Sequence, residues 1–105
     1  MSNFTVDLIV NAAGGWCGGD ASDPEFPAKC KKMWEMNAES SILAASLASK
    51  ILAKPSGLLV FVGAKAVAVH PTPEMLAYAM SKSAVASLAS NMAINSGFSV
   101  TLLLP

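Results

Sequence analysis

The stretch 57-GLLVFVGA-64 has the composition of a buried β-strand. It is a nearly continuous run of Leu, Val and Phe bounded by glycine, which is the pattern of a strand buried on both faces of a parallel sheet. Two similar runs flank it along the chain, 6-VDLIVNA-12 before it and 98-FSVTLLLP-105 after it. The sequence therefore predicts three strands of the same kind.

The two segments between these strands have the apolar spacing of amphipathic helices. The first helix is predicted from about residue 28 to residue 53, because Pro55 follows it. The second is predicted over 73–95, with Thr72 as its amino-terminal cap and Gly97 as a left-handed stop.

The order β-α-β-α-β with short connections predicts an α/β domain over 1–105, with a parallel sheet and right-handed crossovers. Both helices are then expected on the same face, which is half of a doubly wound, Rossmann-type fold. Ligands of such folds lie beyond the carboxyl ends of the strands. Asn11–Gly15, Gly63–Lys65 and Pro105 fall at that edge.

Composition excludes several classes of function. Seven basic and seven acidic residues give a net charge of zero, so neither nucleic acid nor an anionic membrane is an expected partner. The charge-free stretch 83–105 is broken by polar residues near its middle, and the amino end lacks the basic start of a secretory signal, so a cytoplasmic protein is expected. Cys17 and Cys30 are too few for a disulfide scaffold or a zinc site, and no metal site is predicted.

Tyr78 and Lys82 are four residues apart in the second helix, so they share one face. An ammonium beside a phenol favours the phenolate, which makes the pair a candidate acid–base device. The alternative is a solvated surface stripe, and on this spacing alone it is the commoner explanation.

Other residues favour the acid–base interpretation of Tyr78 and Lys82. NAAGG at 11–15, a mid-helix Asn37 and YAMSK at 78–82 stand in the order found in the short-chain dehydrogenase/reductase family, which the chain resembles. The resemblance implies that Tyr78 is the acid, that Lys82 tunes it and holds the nicotinamide ribose, and that Asn37 holds a relay water. The cofactor-binding residues implied at this edge are Asn11, Ala12, Ala13, Gly14, Gly63, Ala64, Tyr78, Lys82 and Pro105.

Within that family the chain is similar to the dihydropteridine reductase group through AAGGWCGG, KKMWEMN, TPEMLAYAMSK and the terminal TLLLP. Ala64 stands where most members have a catalytic Ser, and this group also lacks that Ser. A quinonoid pterin is electron-poor and needs less stabilisation of a developing oxyanion than a ketone. The resemblance thus implies reduction of quinonoid dihydropterin by NADH, with NADPH possible.

Trp16 and Tyr78 are the expected substrate-binding residues. The resemblance implies that Trp16 stacks on or walls the pterin, and a flat heteroaromatic substrate suits an indole face. A loop Trp that merely covers the sheet edge is an equally good interpretation of the sequence.

The family's glycine-rich turn for the cofactor pyrophosphate does not occur in these residues, so the resemblance implies the middle and second half of a longer enzyme. The competing interpretations are a non-catalytic fragment or dimerisation module, and a reductase of another pterin or a carbonyl compound. Both predicted helices are rich in Ala and Ser, which allows close helix-to-helix approach, and the resemblance implies a homodimer through helices 28–53 and 73–95.

Overall fold

Three parallel strands form the sheet in residues 5–105, which are the residues that this computed structural model describes. They are β1 (Leu8–Asn11), β2 (Leu58–Val62) and β3 (Ser99–Leu103), in the spatial order β1-β2-β3. Each lies inside a stretch predicted as a strand, so the α/β class with a parallel sheet is confirmed. Residues 1–4 of the expected domain lie outside the described residues.

The first long helix has an irregular middle. It consists of α1 (Phe26–Met33), a π-helical segment (Trp34–Glu39) and α2 (Ser40–Ile51). The backbone keeps right-handed helical angles through both junctions. The helix therefore begins and ends about two residues earlier than the predicted 28–53. It stops because Leu52 turns to an extended conformation and the next residue pairs its N–H with the Val6 carbonyl at 2.8 Å.

The second long helix, α4 (Leu76–Asn95), begins three residues later than the predicted 73–95. Met75 rather than Thr72 occupies the position that precedes its first turn, so the predicted cap is wrong. A short helix, α3 (Lys65–Val69), lies between β2 and α4. Gly97 ends α4 as expected, with a φ of 84°.

The late start of α4 has a cause in the loop after β1. The Gly19 N–H donates to the Glu74 carbonyl at 2.6 Å, and the Leu76 N–H donates to the Gly19 carbonyl at 3.1 Å. This bridge holds Glu74 and Met75 against the loop, so the regular helix begins only at Leu76. It also fixes the loop after β1 beside the first turn of α4.

The hydrophobic core lies between the sheet and the two long helices, which pack on the same face. Leu59 and Phe61 on the central strand are fully buried. They contact α2 and α4 in one cluster of buried residues: Ala45, Ala48, Leu52, Leu59, Phe61, Val85, Ala89 and Phe98. The predicted placement of both helices on one face is confirmed.

The opposite face of the sheet is apolar and more open. Leu8, Val10 and Leu103 alternate with the core-facing residues of their strands, and each stays at least half exposed. Parallel sheets are ordinarily covered on both faces, so this face is suited to contact with further polypeptide. Among the described residues, no helix combines the length and the hydropathy required for a transmembrane span.

Candidate active site

The loop that follows β1 is anchored by the side chain of Asn11. Its Nδ2 donates to Ser41 Oγ on α2 at 3.0 Å, and its Oδ1 accepts the N–H of Ala13 at 3.3 Å. Because the end of the strand is tied to the helix in this way, the chain leaves the sheet with residues 12–14 exposed at the carboxyl edge.

Asn37 clamps the next part of this loop. Its side chain is 1% exposed, and its Oδ1 accepts the Gly15 N–H at 2.8 Å while its Nδ2 donates to the Gly15 carbonyl at 3.0 Å. A Cβ atom on Gly14 would lie 2.6 Å from Asn37 Oδ1, so only glycine lets the loop approach the helix this closely. Asn37 belongs to the π-helical segment, a kind of irregularity that is frequent at functional sites.

A buried hydroxyl extends this clamp to α4. Asn37 Nδ2 also donates to Ser81 Oγ at 2.9 Å, and Ser81 Oγ donates to the carbonyl of Tyr78 at 2.8 Å. Three segments that are far apart in the sequence thus meet through side chains: the loop after β1, the π-helical segment and the first turns of α4.

Tyr78 and Lys82 meet as their spacing predicts. Lys82 Nζ lies 5.9 Å from the centroid of the Tyr78 ring, within the range of a cation–π contact. Lys82 is 8% exposed, and its Nζ donates to the Val62 carbonyl at the end of β2 at 3.0 Å. Burial lowers the pKa of Lys82 below the ordinary lysine value, because desolvation penalises the ammonium. The surface-stripe alternative does not apply to Lys82, since its ammonium is held inside the fold.

The carboxyl ends of β2 and β3 complete the edge. The Gly63 N–H donates to the Leu103 carbonyl at 2.7 Å, and the Lys65 N–H donates to the Pro105 carbonyl at 3.3 Å. Ala64 and Pro105 therefore lie at the same edge of the sheet as Lys82. The side chain at position 64 is a methyl group, with no hydroxyl to offer a substrate.

Trp16 projects from the loop after β1. It is 62% exposed, and its six-membered ring rests against Gly18, where an added Cβ would lie 3.1 Å from Trp16 Cη2. The indole is thus supported along one edge and open elsewhere, which fits neither a buried core residue nor a freely solvated one.

Sequence reasoning named Asn37, Tyr78 and Lys82, and the structure connects them. It overlooked Ser81 and the double hydrogen bond to Gly15. A signal for Ser81 was present in the sequence, since a residue three positions after Tyr78 on a helix lies one turn away on the same side.

Comparisons with known proteins identify the family of the chain. The family model for short chain dehydrogenase matches residues 3–99, and the chain belongs to the short-chain dehydrogenase family. A relative in it is dihydropteridine reductase from Dictyostelium discoideum, which is 40% identical over 95 residues. That match covers 90% of this chain and 40% of the relative.

Solved structures show the same fold. A short-chain dehydrogenase/reductase from Serratia marcescens is 26% identical with a TM-score of 0.83, over 96% of this chain and 42% of that one. One from Vibrio parahaemolyticus is 18% identical with a TM-score of 0.86, over 99% of this chain and 46% of that one. The chain thus spans less than half the length of these relatives, and it has the architecture expected for part of their fold.

Proposed function

We propose that these residues carry the catalytic part of an NADH-dependent oxidoreductase that reduces quinonoid dihydropterin to tetrahydropterin. The observation that carries the proposal is the placement of the Lys82 ammonium against the Tyr78 ring at the carboxyl edge of a parallel sheet. The dihydropteridine reductase relative supports the choice of substrate class.

The edge suits a nicotinamide cofactor. Residues 12–14 are exposed and carry no side chain larger than a methyl group, and Lys82 Nζ would lie 3.6 Å from a Cβ on Gly14. A flat ring and a ribose could approach such a surface, with the ammonium near the ribose hydroxyls. The residues proposed to hold the cofactor are Asn11, Ala12, Ala13, Gly14, Gly63, Ala64, Tyr78, Lys82 and Pro105. When bound, NADH supplies the hydride, and NADPH is the other candidate for this role.

Tyr78 supplies the proton in this proposal. Quinonoid dihydropterin becomes tetrahydropterin when it gains one hydride and one proton, so the phenol O–H gives up its proton to a ring nitrogen and recovers one from solvent. The ammonium of Lys82 lies beside the ring from which this proton leaves. Asn37 holds the loop in place, and the remaining acceptor capacity of its Oδ1 could hold the expected relay water.

Ala64 and Trp16 support a pterin over a simple ketone. A ketone reductase gains from a hydroxyl that stabilises the developing alkoxide, and position 64 has none. The open indole face of Trp16 suits a flat heteroaromatic ring. A different pterin or an activated carbonyl compound remains a competing substrate for the same site.

A homodimer through the long helices is part of the proposal. Trp34, Ile42 and Leu47 on the first helix are each close to half exposed. Between that helix and α4 runs an apolar groove of about 240 Å³, which Trp34, Ile42 and Leu88 help to line. A second copy of the chain would bury these side chains in a four-helix arrangement.

A second candidate function is a non-catalytic module that associates with other polypeptide. The exposure of Leu8 and Val10 on the open face of the sheet favours it, because a covering partner would remove that apolar surface from water.

One assay distinguishes the two candidate functions, the pterin reductase and the non-catalytic module. NADH oxidation by the purified chain is measured with chemically generated quinonoid dihydropterin and, in parallel, with a simple ketone. The proposal predicts turnover with the pterin and little with the ketone. Turnover with the ketone alone would contradict the pterin assignment, and a lack of both turnover and NADH binding would favour the module.

A further inference from the structure

Ser81 occupies a special position between the two expected catalytic residues of α4. It is 3% exposed, and its hydroxyl donates to the carbonyl of Tyr78 one turn earlier at 2.8 Å. The same hydroxyl accepts from Nδ2 of Asn37, which lies 44 residues away in the chain. Ser81 therefore joins the turn that carries Tyr78 to a distant element.

The donor and acceptor groups of these side chains fix the direction of each hydrogen bond that links Gly15, Asn37, Ser81 and Tyr78. The amide group of Asn37 has two N–H donors, of which one goes to the Gly15 carbonyl and the other to Ser81 Oγ. Its oxygen accepts the Gly15 N–H. The hydroxyl hydrogen of Ser81 is committed to the Tyr78 carbonyl, so a lone pair faces Asn37. A weaker contact of Nδ2 with Met33 Sδ at 3.7 Å does not replace either strong acceptor.

Ser90 on the same helix shows what is unusual about Ser81. Its hydroxyl also donates to a carbonyl three residues earlier, that of Ser87 at 3.2 Å, but Ser90 is exposed. The local bond is thus common to both residues. Burial and the bond from Asn37 set Ser81 apart.

We propose that Ser81 is a positioning residue that holds the Tyr78 turn in register with the Gly14–Gly15 loop through Asn37. This inference rests on the proposed function for its catalytic consequence, though not for its structural one. Loss of the Ser81 hydroxyl leaves one N–H of Asn37 buried without its acceptor. Because a buried unpaired donor is costly, the Asn37 side chain is then expected to shift and to weaken its hydrogen bonds to Gly15. The loop and the phenol would then no longer be held at one distance.

The first test measures hydrogen exchange at the Gly15 amide by NMR in Ser81→Ala, with Ser90→Ala as the matched control. We expect exchange at Gly15 to become about tenfold faster in Ser81→Ala and to stay unchanged in Ser90→Ala. The amide of Phe61 in the central strand reports general unfolding, and the Gly15 rate is read relative to it. Wild-type exchange at Gly15 in a folded Ser81→Ala chain, or an equal acceleration in Ser90→Ala, would overturn the proposal.

Ser81→Cys serves if Ser81→Ala does not fold, because a thiol keeps the size of the side chain and accepts hydrogen bonds weakly. We expect a smaller acceleration at Gly15 in the same direction. Unchanged exchange in a folded Ser81→Cys chain would equally overturn the proposal.

The second test separates the inference from the proposed function. Once wild-type turnover is measured, kcat of Ser81→Ala is expected to fall about tenfold, because the phenol is no longer held in position, while KM for NADH rises by a smaller factor as the Gly14–Gly15 loop loosens. A raised KM with unchanged kcat would contradict a positioning role. If the wild-type chain shows no turnover at all, the proposed function fails and the exchange experiment still decides the role of Ser81.

Discussion

Asn37 and Gly15 are joined by two hydrogen bonds across 22 residues of sequence: the Gly15 N–H donates to Asn37 Oδ1, and Asn37 Nδ2 donates to the Gly15 carbonyl. The side-chain amide of Asn37 thus hydrogen-bonds to both backbone groups of Gly15, as a neighbouring β-strand would. The consequence falls on the neighbouring Gly14, whose Cα is brought against Asn37 Oδ1 with no room for a side chain.

Gly14→Ala is expected to destabilise the fold by about 2 kcal/mol more than Gly15→Ala does. At Gly14 the added methyl meets the buried, hydrogen-bonded oxygen of Asn37, which cannot move without breaking the clamp. At Gly15 the obstacle is the end of the Met36 side chain, which is flexible and 37% exposed. Urea denaturation of both variants measures the difference, and equal stabilities would show that the clamp does not constrain Gly14.

Lys82 gives the stability of the fold a specific pH dependence. Its pKa is lowered by burial from 10.5, so between the lowered value and 10.5 the unfolded chain binds more protons than the folded one. The cost of the buried charge is therefore fully present below the lowered pKa and is relieved as the pH rises through it. The free energy of unfolding of the wild type should rise relative to that of Lys82→Met, by at most about 1.4 kcal/mol per pH unit.

The measurement compares urea denaturation of these two proteins from neutral pH to about 10. A difference in unfolding free energy that stays constant, or that shrinks for the wild type as the pH rises, would contradict a lowered pKa at Lys82.

Ile42→Glu should weaken dimerisation at least about tenfold, because it places a carboxylate in the apolar groove between the first helix and α4. Val69→Glu is the control, since Val69 is 61% exposed on α3, outside the proposed interface. Sedimentation of the wild type and both variants tests the interface. A monomeric wild type at micromolar concentration, or equal weakening by both substitutions, would count against it.

Sequence patterns predicted the parts of the fold that depend on local and periodic signals. The buried runs around 57–64 gave the strand positions because apolar composition and glycine boundaries are local. The spacing of Tyr78 and Lys82 predicted their shared face because helical geometry is regular.

The remaining features depend on contacts between distant segments. The bridge from Gly19 overrides the helix start that Thr72 would otherwise favour. The π-helical segment and the hydrogen bonds of Asn37 to Gly15 arise where a helix packs against a loop. No local sequence pattern specifies which loop residue contacts which helix residue. The environment of Lys82 depends likewise on the Val62 carbonyl, which the tertiary fold supplies.

Tyr78 is the proposed acid of a pterin-reducing site. The most direct test compares NADH oxidation by the wild-type chain and by Tyr78→Phe, with chemically generated quinonoid dihydropterin as acceptor and with NADH binding measured on both. Turnover that falls about a hundredfold or more in Tyr78→Phe, with NADH binding retained, is the predicted result. A Tyr78→Phe chain that keeps full turnover would contradict the claim.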